Sequence, residues 1–93
     1  MVIVVLKAKL DLPSVGSLKE KRRIVKSLID RLKYKFNVSI AEVGDNDVLK
    51  SATIGAAVVS NENSFAHSVM SKLVDKINAQ HDLVMIDYSI ESY

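Results

Sequence analysis

The chain has 93 residues, 48% of them hydrophobic and 26% charged, with three glycines and one proline, a composition that fits one folded domain over residues 1–93 and excludes a disordered segment. Zero cysteines exclude disulfides, thiolate metal sites and cysteine nucleophiles, and a cytoplasmic setting is expected. The net charge of +2 is too small to identify a partner, and no run approaches the ~20 apolar residues of a membrane-spanning helix, so no membrane partner is expected.

Met1 to Leu6 is apolar but lacks the basic lead-in of a signal peptide, and Lys7 and Lys9 interrupt it, so it reads as the start of a strand over Val2 to Leu12. Pro13 and Gly16 end that strand. Ser17-Leu18-Lys19-Glu20 has the spacing of a capping box, with Ser17 and Glu20 placed to take orphan N–H groups at a helix start. A first helix is predicted from Leu18 to about Phe36, its apolar stripe being Leu18, Val25, Leu28, Ile29, Leu32 and Phe36. Period-two alternation returns over Asn37 to Val43, and Gly44 to Asp47 reads as a turn. Ala52 to Val59 is apolar on both faces, as a central strand is, with Gly55 marking a close approach. Ser60 to Asn63 offers N-caps for a second helix ending near Gln80, with Ala66, Val69, Met70, Leu73, Val74 and Ile77 as its stripe. Leu83 to Ile90 is the last strand, its alternation placing Leu83 and Met85 opposite Val84, Ile86, Tyr88 and Ile90.

This order predicts an α+β, ferredoxin-like β-α-β-β-α-β domain, a four-stranded antiparallel sheet with two helices on one face. The other face is then uncovered. It is expected to carry Ile3, Val5, Thr53, Gly55, Ala57, Val59, Leu83 and Met85, with Lys7, Lys9 and Asp87 at its margin. An apolar patch of that breadth favours a homodimer, with Ile3, Val5, Ala57, Val59, Leu83 and Met85 as the interface.

Charge is unevenly spread. Helix one holds eight basic residues, Lys19, Lys21, Arg22, Arg23, Lys26, Arg31, Lys33 and Lys35, against Glu20 and Asp30, a net +6, whereas the remainder has five basic and nine acidic residues, a net −4. An amphipathic helix shows charges on its solvent side in any case. A surface this one-sided also suits phosphates, with backbone donors near Ser17 to Lys19 adding an anion site, and RNA or a ribosomal component is the expected partner. Ser17, Lys19, Lys21, Arg22, Arg23 and Lys26 are the candidate contacts. Stacking on the sheet is not expected, because the outward positions of strands one and three carry no aromatic side chain.

No catalytic machinery is legible, and neither a cofactor nor a metal is expected. His67 and His81 have no second ligand at helical i+4 spacing. Asp45 and Asp47 alternate like the opening of a calcium loop, but Leu49 and Lys50 stand where further oxygens and the turn glycine belong. The serines lack a base other than the two histidines, and the loop Leu12 to Ser17 lacks the arginine with which acylphosphatases of this fold class hold phosphate. Glu42, a lone carboxylate on strand two, is expected to pair with a neighbouring lysine.

Three stretches, Ser17-Leu18-Lys19-Glu20-Lys21-Arg22, Asn37 to Val43, and Ala52-Thr53-Ile54-Gly55 continuing to Val58-Val59-Ser60-Asn61, together resemble the YlxP-like family of small bacterial proteins of unknown function, over almost the whole chain. The resemblance implies a ferredoxin-like fold and, from gene neighbourhoods among translation and ribosome-maturation genes, a role near the ribosome or RNA. It highlights Ser17, Lys19, Lys21, Arg22, Glu42 and Asp47. Val48 and Leu49 stand where relatives often carry a tryptophan.

The leading expectation is a non-enzymatic module that engages RNA through the basic helix. The alternatives are a regulatory small-ligand domain with its site at a dimer interface near Leu12 to Ser17, and a structural protein-protein module using the apolar sheet face.

Overall fold

The computed structural model describes residues Met1–Tyr93. Its elements run β1 (Val2–Asp11), α1 (Leu18–Lys35), β2 (Ser39–Gly44), β3 (Ser51–Ser60), α2 (Asn63–Asn78) and β4 (Val84–Ser92). The strands form one antiparallel sheet in the order β2-β3-β1-β4, so the two strands richest in inward apolar residues, β1 and β3, lie at its centre. α1 packs mainly over β2, and α2 over β1, β3 and β4, leaving the other face of the sheet open. The fold is ferredoxin-like.

Alternation dictates the core. Val4, Leu6, Ala8 and Leu10 of β1 and Ala52, Ile54, Ala56 and Val58 of β3 all point to the helices and are buried. They meet Val25, Leu28 and Leu32 of α1 and Ala66, Met70, Leu73, Val74 and Ile77 of α2. At about 25 cal/mol per Å² of apolar surface removed from water, this one-sided packing is the main stabilising term.

The helix ends follow local chemistry. Ser17 has an extended backbone and its hydroxyl accepts the Glu20 N–H at 3.1 Å, while Glu20 Oε1 accepts the Gly16 N–H at 2.7 Å, one residue earlier than the usual capping box. Lys33 and Lys35 stand in the last turn, where cations suit the helix dipole. α2 starts at Glu62 without a side-chain cap; there Ser60 Oγ instead accepts the Glu62 N–H at 3.0 Å.

Two bulges reshape the edges. In β4, Lys9 pairs with Asp87 and Leu10 with Met85, so Ile86 is the extra residue. In β2, Glu42 pairs with Ile54 and Gly44 with Thr53, so Val43 is extra. The β4 bulge reverses the expected facing of that strand's beginning: Met85 shares the helix face with Leu10 and packs against the core, and Leu83 is buried within it. The expectation that Leu83 and Met85 belong to the open face is therefore corrected, because the inserted Ile86 puts the side chains before it out of step with the alternation of those after it, and Leu83 and Met85 precede it.

Between β2 and β3 the chain turns at Asp45, whose φ of 60° lies in the left-handed region that Asp tolerates better than most residues. The Asp45 carbonyl accepts the Val48 N–H at 3.0 Å, and its Oδ2 accepts the Ser51 hydroxyl at 2.9 Å. Lys21, 0% exposed, reaches this turn from α1 and donates to the carbonyls of Asp45 at 2.5 Å, Val48 at 2.6 Å and Asn46 at 3.4 Å. Glu42 Oε2 stands 3.2 Å from the same ammonium, but makes no aligned hydrogen bond, since an ammonium has three donors and the carbonyls take them. Glu42 thus neutralises the charge while the carbonyls saturate its protons.

Removing the ammonium strands a largely buried carboxylate and three turn carbonyls. Lys21→Met is expected to lower the unfolding free energy by about 3–5 kcal/mol, the range for breaking a buried pair, and Glu42→Gln by less, since the carbonyl bonds survive. Urea unfolding of both variants checks the order; equal midpoints for Lys21→Met and the parent would refute the anchor.

Candidate functional site

The solvent side of α1 is the most highly charged surface of the molecule. Lys19, Arg22, Lys26 and Lys33 recur at spacings of three, four and seven residues and share one flank, Arg23 lies beside them, and Arg31 and Lys35 lie on the opposite flank. All seven are exposed. Lys21, expected among the phosphate contacts, is not: it occupies the buried stripe between Leu18 and Val25, and its donors are consumed by the β2–β3 turn. The signal was present in the sequence, because positions 18, 21, 25, 28 and 32 continue a single helical stripe. Glu42 was foreseen as a lysine's partner, and that lysine is Lys21.

Three of the exposed cations have anionic neighbours: Lys26 and Asp30 at 2.7 Å, Arg22 and Asp47 at 3.7 Å, and Arg23 and Glu20 at 3.9 Å. Such exposed pairs are worth about 0–1 kcal/mol and open readily for a competing anion. At the N-terminus of α1 the Glu20 carboxylate and the Ser17 hydroxyl take two N–H groups, so an internal carboxylate already lies close to the expected anion position. The loop from Leu12 to Ser17 is similarly committed. Leu12 N–H donates to the Lys50 carbonyl, Val15 N–H to the Leu12 carbonyl, and Lys50 Nζ to the Pro13 carbonyl at 3.2 Å.

The open sheet face divides into two halves. Ile3, Val5, Ala57 and Val59 lie there as expected, joined by Ala41 and Val43, and Val59 and Val43 are 63% and 58% exposed. Gly55 lets Val43 lie close to β3 here: a Cβ on it would come within 3.1 Å of Val43 Cγ1, so the valine side chain would have to shift by a few tenths of an ångström. The polar half is concave. Both bulges fall on the rung that holds Gly44, Thr53, Lys9 and Asp87, where each edge strand gains extra twist, and a hollow of about 350 Å³ opens between Lys7, Lys9, Asp45, Thr53, Asp87 and Ser89.

His67 Nε2 lies 2.7 Å from Ser92 Oγ, a pairing of α2 with β4 invisible in the sequence. The Ser92 hydroxyl also reaches Asn63 Oδ1 at 3.4 Å, and no carboxylate is bonded to the imidazole, so the third member of a triad is missing. No three His, Asp or Glu side chains come together to hold a metal ion. The Tyr93 hydroxyl donates to Glu91 Oε2 at 2.7 Å, and that carboxylate raises the phenol above its usual value of 10.0.

No helix is long and apolar enough to cross a membrane. Among solved structures, the chain is similar over 100% of its length to 84% of a de novo designed protein with a ferredoxin fold, at TM-score 0.53 and 15% identity. It is also similar, at TM-score 0.48 and 8% identity, to 94% of a protein from an uncultured marine organism described as a dimeric ferredoxin-like protein. Among curated proteins, 46 residues are 48% identical to the uncharacterized protein YlxP of Bacillus subtilis (strain 168), a match that spans half of this chain and half of that relative. The family model described as "Protein of unknown function (DUF503)" matches residues 3–90. The chain belongs to this DUF503 family, and its similarity to the Bacillus protein makes it YlxP-like.

Proposed function

We propose that this protein is a non-enzymatic RNA-binding module, acting near ribosomal RNA, whose contact surface is the solvent side of α1. The observation that carries this reading is the set of seven exposed cations on one helix whose only acidic residues are Glu20 and Asp30. Lys19, Arg22, Arg23 and Lys26 supply phosphate contacts along one flank. Ser17 remains a helix cap in this reading and Lys21 an internal anchor. The small-ligand reading at Leu12 to Ser17 is weakened by the donors already used in that loop.

Phosphate contacts release counterions, so affinity must fall as salt rises, with a slope of about 0.7–0.9 in log K per log salt for each contact. Co-sedimentation with ribosomal RNA at several salt concentrations is expected to show this dependence. Arg22→Glu/Arg23→Glu is expected to bind more weakly and with a shallower slope, while unfolding like the parent, because each replaced pair is exposed. Salt-independent binding, or a variant that binds as well as the parent, would overturn the reading.

A second feature, compatible with the first, is favoured by the open sheet face. Ile3, Val5, Val43, Ala57 and Val59 form an apolar half, beside a polar half in which Lys9 pairs with Asp87 and Lys7 with Ser89. Apolar surface next to charges of both signs suits a two-fold contact with a second copy. Light scattering at several concentrations is expected to give twice the 10.3 kDa chain mass, and Val59→Glu to return the monomer. A constant monomer mass for the parent would dispose of the dimer and leave the RNA reading untouched.

A further inference from the structure

Nine residues, about two and a half turns, separate Tyr34 from the buried Val25, so Tyr34 projects from the crown of α1, directly away from the core. Its ring is 95% exposed, the most exposed aromatic side chain of the protein, and its hydroxyl makes no hydrogen bond within the chain. No packing or capping role accounts for it.

Its surroundings are cationic. Tyr34 borders a hollow of about 340 Å³ with Asp30, Arg31, Lys35 and Lys76. Lys35 and Lys76 continue into an adjoining hollow of about 280 Å³, with Lys72 and Asp75, between the C-terminal ends of the two helices. Arg31, Lys35, Lys72 and Lys76 thus face two aspartates, and Asp30 is already held by Lys26 at 2.7 Å. None of the four cations has an acidic group within 4.0 Å. Two helices therefore bring together unneutralised charges whose mutual repulsion an incoming polyanion would relieve.

The geometry points to a binding site for single-stranded RNA, with a base stacked on Tyr34 and the neighbouring phosphates carried by Lys35, Lys72 and Lys76. The inference rests on the RNA reading above and adds a place and a strand preference. An exposed ring rewards unstacked bases and offers nothing to bases enclosed in a duplex, whereas lysines alone would accept either form. Arg31 contributes from the same flank, its Nε tethered to the Ser27 carbonyl at 3.2 Å.

The test is fluorescence anisotropy of a labelled oligouridylate about a dozen nucleotides long, within the usual reach of one small domain, against a labelled RNA duplex of equal length. Tyr34→Ala is expected to weaken single-strand binding about tenfold, the cost of one lost stacking contact, and to leave duplex binding unchanged. Tyr34→Phe keeps the ring and is expected to restore it, while Lys35→Glu/Lys76→Glu weakens both RNAs and flattens the salt dependence. Circular dichroism confirms the fold of each variant. If Tyr34→Ala holds the single strand as tightly as the parent while Arg22→Glu/Arg23→Glu loses it, the Tyr34 site is refuted and the RNA reading stands; if the parent binds neither RNA, both fall.

Discussion

A lysine ammonium completely withdrawn from water costs several kcal/mol unless its charge is balanced and its protons are accepted. In this protein a single residue, Lys21, meets both conditions by recruiting the β2–β3 turn: carbonyls from Asp45 and Val48 close on its nitrogen, and Glu42 supplies the opposite charge. The arrangement couples three otherwise independent pieces, namely the first turns of α1, the edge strand β2 and the left-handed Asp45. β2 is short and borders only β3, so little else orients its far end. The same turn holds Leu12 and Pro13 through Lys50, extending the tie to the β1–α1 loop.

That interaction also explains which parts of the molecule could be read from its residues. The element order and most of the core followed from periodicity, because the stripe of α2 and the alternation of β1 are uninterrupted and β3 is apolar on both faces. Lys21 occupies a core position by spacing but has the wrong chemistry, and a pattern built on apolarity skips it; only the three-dimensional position of the turn carbonyls makes its burial affordable. β4 failed for a different reason. Simple alternation assumes a regular pleat, and the extra Ile86 breaks the pleat without any glycine or proline to announce it. The Ser92–His67 contact joins residues far apart in sequence, and nothing local encodes it.

With one cation internalised, the remaining charge of α1 faces solvent on both flanks of a crown that carries Tyr34. The helix layer and the open sheet face consequently offer different chemistry on opposite sides of the molecule. One is cationic with a bare aromatic ring, the other half apolar and half zwitterionic. Occupation of one side leaves the other accessible, so self-association through the sheet would present two basic helices outward instead of burying them. Two such surfaces on one particle would raise affinity for a long RNA through effective concentration alone, provided their spacing matched the strand.

The division of α1 into an internal and an external face has a thermodynamic corollary. Residues of the buried stripe, Lys21 included, set stability, whereas exposed positions away from caps and buried pairs shift it by no more than about 0.5 kcal/mol. Arg22, Arg23 and Tyr34 belong to the second class. Their identity is therefore weakly constrained by folding, and although the helix dipole favours Lys35 and Lys76 in the last turns of the two helices, it does not account for the uncovered tyrosine between them. A helix selected only to cover a sheet would do as well with mixed charge and no aromatic on its crown. The departure of α1 from that minimum is the strongest internal argument that its outer face has a partner.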